Sequence, residues 1–253
     1  MRGEAAIFLL AVQFLTRLPV PLESLYTPER LAASVRYYPA VGAMIGGLCA
    51  AVFWAAAMLF PHSLAIALSI AAGLLMTGAF HEDGLADTFD GIGGGQDREQ
   101  ALNIMKDSRL GTYGTLALIM ALALKFFSLN GLPTMWVVAA LIGGHGASRL
   151  SSVLVIATST YAREIGKAKP VAKGISAAGL GVAIVTGLGS LGIAAIVLPL
   201  PVLGVGCGGL VLGHLAMRLV FERKLGGYTG DALGAVQQAS EIGFYLGLIA
   251  WLS

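Results

Sequence analysis

The chain has 253 residues, 57% of them hydrophobic and 12% charged, with a mean hydropathy of +0.81 and a formal net charge of +2. Soluble domains carry about 25% charged residues, so a soluble enzyme is excluded and an integral membrane protein is expected, as a single domain over residues 1–253. The net charge says little, because its distribution matters more than its total in a membrane protein. No nucleic-acid partner is expected; the lipid bilayer is.

In chain order, residues 5–18 read as a short amphipathic or re-entrant helix that stops at Pro19 and Pro21. That length is marginal for crossing a bilayer. Gln13 and Arg17 interrupt its apolar run, so no cleavable signal peptide is expected. Residues 22–39 form a polar loop with Glu23, Glu29, Arg30 and Arg36. Apolar segments follow at 40–60 and 62–80, split by Pro61, then at 113–129 with Lys125 and at 132–158 with His145 and Arg149. A further pair, 177–200 and 202–220, is hinged at Pro201, and the last span is 232–252. The expected fold is all-α, a polytopic transmembrane bundle of about seven spans plus the short N-terminal helix. Cys49 and Cys207 lie inside apolar segments and read as packing residues.

Alternate loops differ sharply in charge. Loops 22–39, 81–112, 159–176 and 221–231 hold two, three, four and two Lys/Arg. Those of 159–176 are Arg163, Lys167, Lys169 and Lys173, whereas the turns near 61, 130–132 and 201 hold none. By the positive-inside rule the charged loops face the cytoplasm, and the C-terminus lies outside. Glycines crowd the spans at Gly42, Gly46 and Gly47, at Gly143, Gly144 and Gly146, and at Gly204, Gly206, Gly208 and Gly209. Close helix packing is their expected use.

The acidic side chains are concentrated. Seven of the 14 lie in residues 80–114: Glu82, Asp83, Asp87, Asp90, Asp97, Glu99 and Asp107. On a helix with Glu82 at 0°, Asp83 falls at about 100°, Asp87 at about 140° and Asp90 at about 80°. Three carboxylates then share an arc of about 60°, bordered by Glu82, and like charges so stacked repel. A solvated acidic face is the plainer reading. Against it stand the apolar segment directly before, the helix-breaking Gly91, Gly93, Gly94 and Gly95, and the cations of the next loop. Mg²⁺ held by Glu82, Asp83, Asp87 and Asp90 is therefore expected, since that ion takes hard oxygen ligands and substrate phosphates. Residues 81–112 are the expected cytoplasmic active-site segment.

The string Lys106-Asp107-Ser108-Arg109-Leu110-Gly111-Thr112-Tyr113-Gly114 suits a pyrophosphate cradle, with Lys106 and Arg109 clamping the phosphates. Gly226-Gly227-Tyr228-Thr229-Gly230-Asp231 has the same flavour, although Asp231 also suits a helix N-cap. Arg149 shares a helix face with His145, and is read either as a phosphate ligand or as an ion-pair partner of Glu241. Lys125 reads as a snorkelling side chain. Together these groups fit metal-assisted phosphoryl transfer, with a carboxylate deprotonating the attacking hydroxyl. Asp90, beside the glycine break, is the first choice for that base; His81, Asp107 and Asp231 are the fallbacks. A cation or proton transporter is the reading from another class. It would place its carboxylates at mid-membrane, not at a span end.

The string Glu82-Asp83-Gly84-Leu85-Ala86-Asp87-Thr88-Phe89-Asp90-Gly91, followed by Lys106 to Gly114, closely resembles the cobalamin synthases, the adenosylcobinamide-GDP ribazoletransferase family. Gln13 to Pro19, Arg36-Tyr37-Tyr38-Pro39 with Gly42, and Gly226 to Asp231 extend the likeness over essentially the whole chain. The family usually has Ala where Phe89 stands. The resemblance implies a Mg²⁺-dependent enzyme of a bacterial or archaeal cytoplasmic membrane. It would join adenosylcobinamide-GDP to α-ribazole or its 5′-phosphate and release GMP, the last assembly step of cobalamin biosynthesis. The acidic string is also loosely similar to that of CDP-alcohol phosphotransferases, with different spacing. Oligomeric state is left open.

Overall fold

The computed structural model describes residues 2–20, 25–163 and 174–253. Glu23, Lys167, Lys169 and Lys173 lie outside the described residues. The elements are α1 (Arg2–Leu15), α2 (Pro28–Ser34), a 3-10 turn at Val35–Tyr37, α3 (Tyr38–Ala57), α4 (His62–Thr77) and α5 (Phe80–Gly94). Then come α6 (Arg98–Ile104), α7 (Thr112–Asn130), α8 (Thr134–Thr158), α9 (Ala177–Ala194), α10 (Leu200–Leu225) and α11 (Gly230–Ala250). The all-α bundle is as composition dictates.

Local chemistry fixes the helix starts. Pro61, Pro133 and Pro199 precede α4, α8 and α10, where extended backbone hands over to the helix. Thr27, Asp97, Ser176 and Thr229 cap α2, α6, α9 and α11 by accepting a backbone N–H. Pro201 is no hinge between spans. It sits in the first turn of α10, where a missing N–H does no harm, and α9 has already ended at Ala194.

Among the described residues, five stretches are long and apolar enough to cross a membrane: Pro28–Ala57, α7, α8, α9 and α10; a sixth is reached if α4 and α5 count as one bent span. The difference from about seven expected spans arises partly in α11. That helix has 21 residues, and Gln237, Gln238 and Glu241 dilute its hydropathy, yet all three are buried inside the bundle. α11 packs against α5, α7, α8 and α10 and so forms the centre of the fold.

The α4–α5 junction turns the chain by 86°. Gly78 and Ala79 both take left-handed backbone, at φ 65° and 55°. For Ala79 this costs on the order of 1 kcal/mol. Arg17 packs on Gly78, and its N–H donates to the Met76 carbonyl at 2.7 Å, tying the end of α1 to the bend. α5 therefore runs across the end of α4 instead of prolonging it. The charged loops meet one another. Arg98 donates to the carbonyls of Leu225 and Ala162, both at 2.7 Å, and Lys224 donates to the Gln96 carbonyl at 3.1 Å.

Small residues set the helix crossings. A Cβ on Gly209 would strike the Gly243 carbonyl, and one on Gly243 would strike that of Gly209; Gly213 and Gly247 continue the α10–α11 contact. Gly42 and Gly46 let α3 touch the α8 backbone at His145 and Leu141. Gly47, Gly204 and Gly208 instead have open space beside them. Gly209→Leu should therefore destabilise the protein by at least ~1–3 kcal/mol, the usual cost of overpacking, read as a lower unfolding temperature in detergent. Gly208→Leu should leave that temperature unchanged.

Candidate active site

α5 crosses the start of α11 at two glycines. A Cβ on Gly84 would meet the Asp231 backbone, and one on Gly234 would meet the His81 backbone. This approach sets Asp231 opposite Asp83 and Asp87. All three line a cavity of about 600 Å³, with Lys106, Arg149, Ser152, Tyr161 and Arg163 on its polar wall and Phe14, Tyr38, Phe80 and His81 on its aromatic wall. Asp231 is not the N-cap of α11: Thr229 does that, and Asp231 follows in the first turn.

The segment after α8 is fastened over this cavity. Ala162 donates its N–H to the Tyr228 carbonyl at 2.8 Å, and Tyr228 donates to Thr160 at 2.9 Å. This short parallel bridge brings the Arg163 guanidinium to 3.0 Å from Asp231. The carboxylates still crowd one another. Burial, then the charges of Asp231 and Asp83, push the Asp87 carboxyl up to about 7, against the pull of Arg163. Asp231 is raised too, first by burial, with Arg163 opposing.

The four-carboxylate metal set read from the helical wheel is divided. Asp83 and Asp87 face the cavity; Glu82 and Asp90 do not line it. Asp90 lies seven residues beyond Asp83, ~10 Å along the axis, where its neighbour is the start of α7. Its carboxylate accepts the N–H groups of Gly111 at 2.7 Å and Gly114 at 2.8 Å. A helix N-terminus has unpaired donors and positive potential, so a carboxylate settles there. A Cβ at either glycine would collide with it. The glycine loop thus does cradle an anion, but the anion is the chain's own Asp90.

The expected phosphate clamp is divided as well. Lys106 lines the cavity, whereas Asp107, Ser108 and Arg109 do not. The Arg109 side chain is 88% exposed and pairs with Asp107 at 2.6 Å. That partnership holds the Asp107 carboxyl down at about 2. Lys106→Ala should raise the KM for a diphosphate substrate by about ten-fold, the worth of one charge-assisted hydrogen bond. Arg109→Ala should stay within about two-fold of wild type, because its partner among the described residues is Asp107 in its own loop. Initial-rate kinetics read both.

Glu82 belongs to a second polar cluster within the bundle. The Glu241 carboxylate is 1% exposed as a residue. It lies 2.8 Å from Lys125 Nζ and 3.5 Å from His145 Nδ1, and accepts from Gln237 at 2.6 Å. Lys125 is also 3.7 Å from Glu82, which accepts from Gln238 at 2.9 Å. Lys125 is therefore a buried ion-pair partner and does not snorkel. Arg149, 2% exposed, forms no ion pair with Glu241 within 4.0 Å. It donates to the His145 carbonyl at 2.9 Å and reaches the cavity.

Tyr161, Arg163, Phe14, Tyr38 and Ser152 are cavity residues that the sequence did not single out as functional. Arg163 looked like one more topology charge. Only the Tyr161–Tyr228 bridge, between residues distant in sequence, carries it to Asp231.

Among the described residues no three His, Cys, Asp or Glu are grouped closely enough to hold a metal ion by themselves. The donors at the cavity nevertheless suit a hard cation that completes its shell from phosphate and water. Mg²⁺ is usually bound in that way, through one or two carboxylates.

Comparison with known proteins agrees with this architecture. An adenosylcobinamide-GDP ribazoletransferase of Leptothrix cholodnii is 45% identical over 258 residues, covering 98% of this chain and 96% of that one. Those of Vibrio parahaemolyticus and Shewanella frigidimarina are 42% and 43% identical, covering 99% and 96% of this chain and 94% of each relative. No solved structure matches. The Cobalamin-5-phosphate synthase family matches residues 7–249, a range holding α5, the Asp90 cap, Arg163 and the start of α11. The chain belongs to that family.

Proposed function

We propose that this chain is an adenosylcobinamide-GDP ribazoletransferase of a bacterial or archaeal cytoplasmic membrane, Mg²⁺-dependent and with its cavity open to the cytoplasm. It joins adenosylcobinamide-GDP to α-ribazole or its 5′-phosphate. The observation that carries this reading is the facing of Asp83, Asp87 and Asp231 by Lys106, Arg149 and Arg163 around one cavity, in a chain whose relatives bear that name.

A hydroxyl oxygen of the ribazole attacks the phosphorus on the cobinamide side of the diphosphate. The bond from that phosphorus to the bridging oxygen breaks, and GMP leaves with the electron pair. Asp87 and Asp231 would hold Mg²⁺ together with substrate phosphate and water, with Asp83 adding negative charge beside them; when bound, the ion neutralises charge developing on the phosphate oxygens. Lys106 and Arg163 take the remaining oxygens as charge-assisted donors. Asp90 gives up the role of base, since both its oxygens are engaged by α7. His81 takes the role instead: it lines the cavity, and its buried Nδ1 has no hydrogen-bond partner among the described residues. A positioned imidazole contributes ~10²–10⁴-fold.

The test is to incubate membranes containing the protein with adenosylcobinamide-GDP, α-ribazole and Mg²⁺. Equimolar GMP and cobalamin are expected. Neither product, from protein shown to be folded, rejects the assignment.

A further inference from the structure

The aromatic wall of the cavity is continuous. The rings of Phe14 and Tyr38 stack with centroids 5.8 Å apart at 11°. Phe80 meets Phe14 edge-on at 5.4 Å, and His81 meets Phe80 edge-on at 5.4 Å. Leu233 lines the same cavity, and so does Arg149, whose Nε is buried without a hydrogen-bond partner among the described residues. Tyr38 and Arg149 are buried and Phe14 is half-buried, whereas Phe80, Lys106 and Asp83 are exposed, so Tyr38 and Phe14 mark the inner end of the aromatic wall and Phe80 continues it towards the mouth, where the phosphate-binding charges lie.

The proposed reaction brings two bases to this site, the guanine of the donor and the benzimidazole of the acceptor. In-line attack puts nucleophile and leaving group on opposite sides of the phosphorus, so one base goes inward and the other stays near the mouth. An adenosylated corrinoid with its GDP tail is too large for about 600 Å³, while pockets of this size enclose a nucleoside-sized ligand. The inner end therefore suits the free acceptor. Its chemistry suits the same choice. Benzimidazole is a flat, apolar bicycle with a single free ring nitrogen. Guanine carries amide and amino groups that Phe14, Phe80 and Leu233 would leave unpaired, at a desolvation cost.

Resting on the proposed reaction, we infer that Phe14, Tyr38 and Phe80 form the subsite for the acceptor's base, with Arg149 Nε donating to its ring nitrogen. Guanine then lies at the mouth.

Steady-state kinetics with each substrate varied separately tests this. Phe14→Leu keeps apolar bulk and removes stacking. It should raise the KM for α-ribazole about ten-fold and move that for adenosylcobinamide-GDP less than two-fold. Phe14→Trp should restore the first. A second measurement needs no variant: on the wild type, an α-riboside whose base bears exocyclic amino groups should show a KM at least ten-fold above that of α-ribazole. An unchanged KM for α-ribazole, a change confined to the donor, or equal KM values in the acceptor series overturns the subsite. Each of those outcomes leaves the reaction standing, whereas a wild type that releases no GMP rejects the reaction and the subsite together.

Discussion

Asp87→Asn is expected to leave a folded membrane protein that has lost turnover by on the order of 10³-fold or more, the loss of several kcal/mol of transition-state stabilisation. Asp87 is half-buried between Asp231 and Asp83, at the centre of the cavity's negative wall. Asn keeps its size and hydrogen-bonding reach and removes its charge. The sign of the stability change follows from the raised carboxyl. A folded value of about 7 against an ordinary 3.8 means that folding disfavours the ionised form, increasingly so as pH rises through that range. The neutral variant should therefore melt no lower than wild type at pH 8. Rate and unfolding temperature, measured on one preparation, separate a chemical role from a structural one. A near-normal rate at ordinary Mg²⁺ would mean that this carboxylate does not hold the metal.

Lys125→Met is expected to fail in the opposite way, through folding. Lys125 is the cation nearest to both Glu241, at 2.8 Å, and Glu82, at 3.7 Å. Its loss leaves two buried carboxylates short of counter-charge. Breaking such a pair from one side costs about 3–5 kcal/mol, a large share of a domain's total stability. Most of the protein should disappear from the membrane. Adding Glu241→Gln removes one of the two stranded charges. The double variant should accumulate better than Lys125→Met alone, a non-additivity expected of residues in contact. Monodispersity in detergent reads the outcome. If Lys125→Met is as abundant and heat-resistant as wild type, the cluster does not hold the bundle together.

The helices were legible because apolar runs and prolines are local signals. A wheel places Asp83 and Asp87 together, and both line the cavity. Asp90 shares their angle on the wheel, but a wheel has no axial coordinate. Ten ångströms along, the free N–H groups of α7 were the stronger attraction. Gly111 and Gly114, read from sequence as part of a pyrophosphate cradle, donate their N–H groups to Asp90. Lys125 was misread because hydropathy alone cannot show that Glu82 and Glu241, more than a hundred residues apart, converge on it. Arg163 was overlooked for a similar reason: its partner depends on a bridge between residues 161 and 228. What the sequence could not supply in each case was a tertiary partner.

The division of the acidic helix into two cavity-facing carboxylates, proposed to serve the metal, and one helix-capping carboxylate is best tested by binding. Mn²⁺, standing in for Mg²⁺, can be titrated into detergent-solubilised protein with adenosylcobinamide-GDP present and followed by electron paramagnetic resonance. Asp87→Asn and Asp231→Asn should each weaken Mn²⁺ binding at least about ten-fold, a step of about 1.4 kcal/mol, while Asp90→Asn should stay within about two-fold of wild type. Loss of Mn²⁺ binding in Asp90→Asn, with normal binding in Asp87→Asn, would contradict that division.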